Sequence, residues 1–196
     1  FVICLENQTE IKSEDNNKKS IFFVWPLIIV LLALIAMANA LTEGSVDSWG
    51  ALYMRDFIKV DGFYVGIATL SFNIFMVLGR LSGDWVKDKI GVFKLIIFLF
   101  LSTILSLIIL SNFNSIFGAI IGFSLLGIGA SSIVPIAYSL AGKIKGIDSG
   151  VGITIISIAV YGTFIGAPAS LGFIANNYGI NNIFVPMLII FMILLM

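Results

Sequence analysis

Histidine is absent from the 196 residues, and that gap removes histidine metal sites, Ser-His-Asp chemistry and histidine proton relays together. Cysteine occurs once, as Cys4, so no internal disulfide can form. Charge is scarce: 11% of residues are Asp, Glu, Lys or Arg, against roughly 25% in an ordinary soluble domain. The formal net charge of +0 leaves no basic face for phosphates, so no nucleic acid partner is expected. What is present is 59% hydrophobic, with a mean hydropathy of +1.10. Such a chain cannot cover itself with a water-wetted surface, which excludes a soluble enzyme and a disordered linker. An integral membrane protein is expected, with the lipid bilayer as its surroundings.

About 30 Å of hydrocarbon takes roughly 20 apolar residues to cross as a helix. Six charge-free stretches approach that length: Ile21–Leu41, Gly62–Gly79, Leu95–Ser111, Ile116–Ala141, Gly150–Ala175 and Ile183–Met196, the last of them short. Membrane strands would alternate apolar and polar residues, whereas these runs are continuously aliphatic. The predicted fold class is therefore all-α, with six transmembrane helices over residues 21–196. Residues 1–20 are polar and lack an apolar period, which reads as a cytoplasmic linker rather than a signal peptide.

Basic residues near helix ends stay in the cytoplasm. With both termini inside, Lys12, Lys18, Lys19, Arg80, Lys87, Lys89, Lys94, Lys143 and Lys145 fall on the inner side, and only Arg55 and Lys59 fall outside. Small residues mark helix packing in membranes. Gly62/Gly66, Gly118/Gly122 and Gly162/Gly166 lie on the second, fourth and fifth helices, while the third and sixth carry no glycine and are expected at the periphery. A third and sixth helix of this kind suggest two three-helix units, an inverted 3+3 repeat.

The segment Gly79-Arg80-Leu81-Ser82-Gly83-Asp84-Trp85-Val86-Lys87-Asp88-Lys89-Ile90-Gly91 reads as an inner loop between helices two and three. Glycine lets helix ends approach, carboxylates hold opposite charges or cap a neighbouring helix, and Gly91 suits a turn of positive φ. A plain solvated hairpin would carry the same lysines. The segment resembles the signature loop of the major facilitator superfamily, with Gly83 and Asp84 as the helix-end pair and Asp88-Lys89-Ile90-Gly91 as the Asp-basic-x-Gly element. Gly122–Gly142 and Tyr161–Gly179 are similar to the fourth and fifth helices of that superfamily's C-terminal half, and Glu43–Trp49 resembles its fucose-permease-like branch. The resemblance implies half of a twelve-helix transporter, with an N-terminal six-helix half as the missing partner and the plasma (inner) membrane as location. It also implies that Gly79, Arg80, Gly83, Asp84, Asp88, Lys89 and Gly91 form a gating latch.

Polar groups inside hydrocarbon are expensive and so are functional candidates. Asn73 and Tyr161 fall near the midpoints of helices two and five, where they either face a solute or bond a neighbouring helix. Asn39, Glu43 and Asp47 recur every four residues and share one face if helix one continues past Leu41. If Gly44 breaks that helix, Glu43 lies at the outer boundary. Pro135 and Pro168 are expected to kink helices four and five.

The expected function is secondary transport of a small hydrophilic solute by alternating access, with a sugar as the candidate solute and protons as the coupling ion. No cofactor is called for. The alternatives are a non-transporting half and a membrane-embedded enzyme, and the enzyme lacks a nucleophile and base at reachable spacing. The orientation has a direct test. In a Cys4-free background, a cysteine at Asn177 should react with an impermeant thiol reagent from outside and one at Lys145 should not; the reverse pattern would invert the assignment.

Overall fold

The computed structural model describes residues 27–144 and 147–196, and every element among them is helical. The linker expected over residues 1–20 and the start of the first span lie outside the described residues. In chain order the helices are α1 (Leu27–Asp56), α2 (Ile67–Ile90), α3 (Val92–Asn112), α4 (Ile116–Ala130), α5 (Ile133–Ala141), α6 (Ser149–Tyr178) and α7 (Phe184–Leu195), with short 3-10 turns leading into α2 and α7. Five of the resulting segments are long and apolar enough to cross a membrane, α4 and α5 counting as one, and the last apolar helix is shorter.

Several boundaries differ from the sequence expectation. Helix one does not stop near Leu41 but runs to Asp56, and Gly44 does not break it. The hydroxyls of Thr42 and Ser45 satisfy themselves on carbonyls three residues back, at 2.7 Å each, so the polar stretch stays helical. Gly44 is instead a contact point, since a Cβ there would meet the Phe164 ring of α6 at 3.3 Å. The charged segment after Gly79 is not a loop either. It continues α2 to Ile90, and the chain reverses only at Gly91, whose φ of 83° suits glycine. A helix can project its last charged turns beyond the hydrocarbon without unwinding, which a count of apolar residues does not register.

The principal pairings are α1 with α6, α2 with α4, and α3 with both α4 and α7. Helix three is therefore not peripheral within this chain. Its apolar window is 39% buried, against 22% for the segments containing α2 and α6. The cause is a stripe of hydroxyls rather than glycines. Ser102 donates to the Leu125 carbonyl at 2.9 Å and Ser106 to the Gly122 carbonyl at 2.7 Å, which ties α3 to the backbone of α4. Gly122 and Gly129 admit that approach, the first against Leu110 and the second against Thr103 and the Leu99 carbonyl.

Glycines of the other predicted pairs behave differently. A Cβ at Gly62, Gly66, Gly162 or Gly166 would meet nothing within 4 Å, so these pairs make no close packing contact among the described residues. At the Asp56 end of α1, Tyr53 is fully buried, edge-on to Phe123 and Phe184, and its hydroxyl donates to the Leu110 carbonyl at 2.8 Å. One aromatic side chain thus joins α1, α3, α4 and α7 and still finds a partner for its polar tip.

The contrast between closed and open glycines is measurable. Gly127→Ala would push a methyl into the Phe72 carbonyl of α2 and should cost about 1–3 kcal/mol, read as a lower midpoint of thermal unfolding in detergent. Gly162→Ala, facing open space, should leave that midpoint unchanged or raise it.

Candidate functional site

The path from Ile116 to Ala141 is not one kinked helix. It breaks between α4 and α5 at Ser131 and Ser132, both buried. Pro135 accounts for part of this, because it lacks the N–H that would bond the Ser131 carbonyl four residues earlier. The kink expected at Pro135 is thus an interruption that begins four residues before it. By contrast, Pro168 lies inside α6, which continues through it.

A helix break within an apolar bundle exposes carbonyls that need donors, and two side chains supply them. Asn39 Nδ2 donates to the Ala130 carbonyl at 3.2 Å, and Arg80 Nε donates to the Ser131 carbonyl at 3.2 Å. The same Asn39 Nδ2 donates to Glu43 Oε1 at 2.9 Å, and Arg80 Nη2 lies 3.6 Å from that oxygen. Asn39, Glu43 and Arg80 therefore form one network joining α1 and α2 to the break. Its geometry depends on glycine, because a Cβ at Gly79 would meet Ser131 Oγ at 2.6 Å and one at Gly83 would meet Ser132 Oγ at 2.5 Å. The two glycines flank Arg80 and seat α2 directly on the interruption.

Glu43 accordingly stands near the middle of α1 rather than at the end of that helix. Its side chain is 17% exposed and that of Arg80 48%. Both line a cavity of about 240 Å³ with Ala40, Val134, Pro135, Tyr138, Val160 and Phe164. Tyr138 extends the polar wall, its hydroxyl 3.2 Å from that of Ser157 on α6. Asn39 Oδ1 is buried without a hydrogen-bond partner, an open acceptor beside the network.

The other predicted residues are not gathered there. Asp47 follows Glu43 by one turn and is exposed. Asn73 is exposed and donates to the Thr69 carbonyl of its own helix at 2.8 Å, while Tyr161 is 66% exposed on α6. Of the expected latch, Asp84 pairs with Lys87, and the Lys89 ammonium lies 3.7 Å over the Trp85 ring. Asp88 makes no ion pair among the described residues. Sequence reasoning missed Tyr138 and the backbone of Ala130 and Ser131. The available signal was Pro135, since a proline in a membrane helix identifies the carbonyl four residues earlier as one that needs a donor.

No protein-family model matches the chain. Among curated proteins it is 29% identical over 177 residues to an uncharacterized MFS-type transporter of Yersinia pestis, covering 90% of this chain and 46% of that protein. It is 29% identical over 152 residues to the membrane protein MosC of Rhizobium meliloti, covering 78% and 37%. An uncharacterized transporter of Buchnera aphidicola is 34% identical over 158 residues, covering 80% and 38%. The chain thus spans less than half the length of these relatives. Among solved structures, a peptide transporter POT in complex with alafosfalin superposes with a TM-score of 0.77 at 17% identity, over 89% of this chain and 38% of that one. At that identity the likeness concerns the fold alone.

The network predicts a coupled response. Arg80→Gln removes the charge facing Glu43 and leaves the Ser131 carbonyl short of a donor, so it should destabilise by about 1–3 kcal/mol. Adding Glu43→Gln should recover part of that loss, with a coupling of about 0.5 kcal/mol or more in a double-mutant cycle of thermal unfolding. Strict additivity would mean that the two groups do not interact.

Proposed function

The chain resembles, in sequence and in fold, half of a transporter of the major facilitator type, and on that premise we propose that it is the carboxy-terminal half of a secondary transporter. It moves a small hydrophilic solute, with sugars as the candidate class, by alternating access coupled to protons. Both termini face the cytoplasm and the membrane is the inner one. The observation that carries this reading is the Asn39–Glu43–Arg80 network, an ionisable pair near the middle of the bundle, at a helix break and open to a cavity. Buried charge in a membrane is retained where it handles a solute or a proton.

Glu43 is the proton carrier in this reading. As a carboxylate it accepts from Asn39 and faces Arg80, holding α1 against α2. On taking a proton it loses its attraction for the guanidinium, while Arg80 keeps its bond to the Ser131 carbonyl on the other side. Loading a proton therefore loosens α1 from α2 and leaves the α2 contact with the break in place. A solute hydroxyl meets Glu43, Arg80 and the Tyr138 hydroxyl on the cavity wall.

The open glycine face of α6 fits the amino-terminal half as partner, since Gly162 and Gly166 leave room for close helix approach that no described residue fills. Asn73 on α2, Tyr161 on α6 and Asp47 on α1 are exposed, and in this reading they face the pathway that the amino-terminal half completes. Asp88, unpaired here, is the latch residue available to that partner. The pairings of helix one with five and of two with four exchange under an inverted 3+3 repeat, in keeping with two three-helix units.

The test uses proteoliposomes holding this half with its amino-terminal counterpart and a panel of radiolabelled monosaccharides. Glu43→Gln preserves shape and fixes the group neutral. It should abolish accumulation driven by a pH gradient and retain solute exchange across the membrane. Full gradient-driven accumulation by the variant would place proton coupling elsewhere.

A further inference from the structure

A second cavity, of about 420 Å³, lies at the end of the bundle where the chain turns at Gly91, and the transport reading makes no use of it. Its origin is the same helix break. Gly83 of α2 is seated on Ser132, but α5 beyond it makes no close backbone contact with α2 and only slight contact with α3. The three helices splay, and a cleft opens between them.

The chemistry of the cleft is two-sided. Arg80, Lys87, Lys143 and one carboxylate, Asp84, line it, and Arg80 is already faced by Glu43 at 3.6 Å. Asp84 is engaged by Lys87, and Lys143 has no carboxylate within ion-pair distance among the described residues. Ser132 and Ser139 add hydroxyls, whereas Val92, Leu95, Ile136 and Leu140 make the rest of the wall apolar. An inorganic anion would satisfy the cations and leave that wall unmatched. An amphiphile with a phosphate head satisfies both, because apolar surface gains by leaving water and basic pockets between membrane helices accept anionic headgroups.

We propose that this cleft is a binding site for an anionic phospholipid. Lys87 and Lys143 pair with the phosphodiester, Ser139 donates to it, and Leu95, Ile136 and Leu140 seat the glycerol and the first methylenes of a chain. The proposal stands on the cavity and its charges, and only the choice of the cytoplasmic leaflet rests on the orientation proposed above. The lipid wedges α5 apart from α2 and α3 beside Arg80, so its occupancy bears on the packing of the break.

The full chain in detergent would be titrated with dioleoylphosphatidylglycerol, dioleoylphosphatidylcholine, glycerol phosphate and inorganic phosphate, with lipid retention and thermal midpoint as readouts. Phosphatidylglycerol should be retained and should raise the midpoint; phosphatidylcholine and the two soluble phosphates should do neither. Lys87→Gln and Lys143→Gln should each weaken retention about fivefold, Lys143→Arg should restore it, and Lys94→Gln, at the same end but outside the cleft, should have little effect. The lipid-free midpoint of each variant reports that it still folds. Equal binding of phosphatidylcholine, equal protection by glycerol phosphate or by inorganic phosphate, or an equal loss in Lys94→Gln would overturn the proposal. A failure of orientation would appear only in thiol labelling and would leave these titrations unchanged.

Discussion

Everything distinctive in this bundle follows from two backbone carbonyls that lose their helical donors. With Pro135 in the segment, no helix from Ile116 to Ala141 can satisfy the Ser131 carbonyl from its own backbone, and without the break Asn39 would lose its acceptor at Ala130. With the break at Ser131 and Ser132, the Ala130 and Ser131 carbonyls require donors, and Asn39 and Arg80 provide them. Arg80 brings a positive charge into the span, and Glu43, on the next turn after Asn39, answers it. No member of the set is satisfied without the others.

The glycines of the chain then divide by what they meet. Gly79, Gly83, Gly127 and Gly129 are closed against backbone or short side chains, and their role is to let α2 and α3 reach the broken helix. Gly162 and Gly166, spaced like a packing motif, meet nothing inside the chain. In hydrocarbon a bare helix face gains nothing from hydrophobicity and gains from close contact. The first group therefore holds the helices of the chain together, and the second stays open among the described residues.

The number and approximate place of the helices were legible in the sequence because continuous apolar runs have few other uses. The short last helix and the turn at Gly91 were legible for equally local reasons. Helix ends were not, because continuation of helix one past Leu41 was left open and the charges after Gly79 were read as a loop, whereas α1 runs to Asp56 and α2 to Ile90. The burial of α3 was hidden by reading glycine as the sole mark of packing, although Ser102, Thr103 and Ser106 perform the same task with hydroxyls. Asn39, Glu43 and Arg80 could each be named as candidates from sequence. Their meeting could not, since Arg80 was assigned to a loop and the register of α2 against α1 is a tertiary fact.

An ion pair with one largely buried member is a weak means of stabilising a fold, because desolvation of that member offsets much of the attraction. Stability alone therefore gives no reason for Glu43 and Arg80 to be where they are. Their position relative to the cavities does. Arg80 lines both the cavity beside Glu43 and the cleft that opens toward Gly91, so its guanidinium stands between the two. It faces the carboxylate of α1 at 3.6 Å and donates to the backbone of the break at 3.2 Å. Moving Arg80 away from Glu43 would therefore alter the wall that both cavities share.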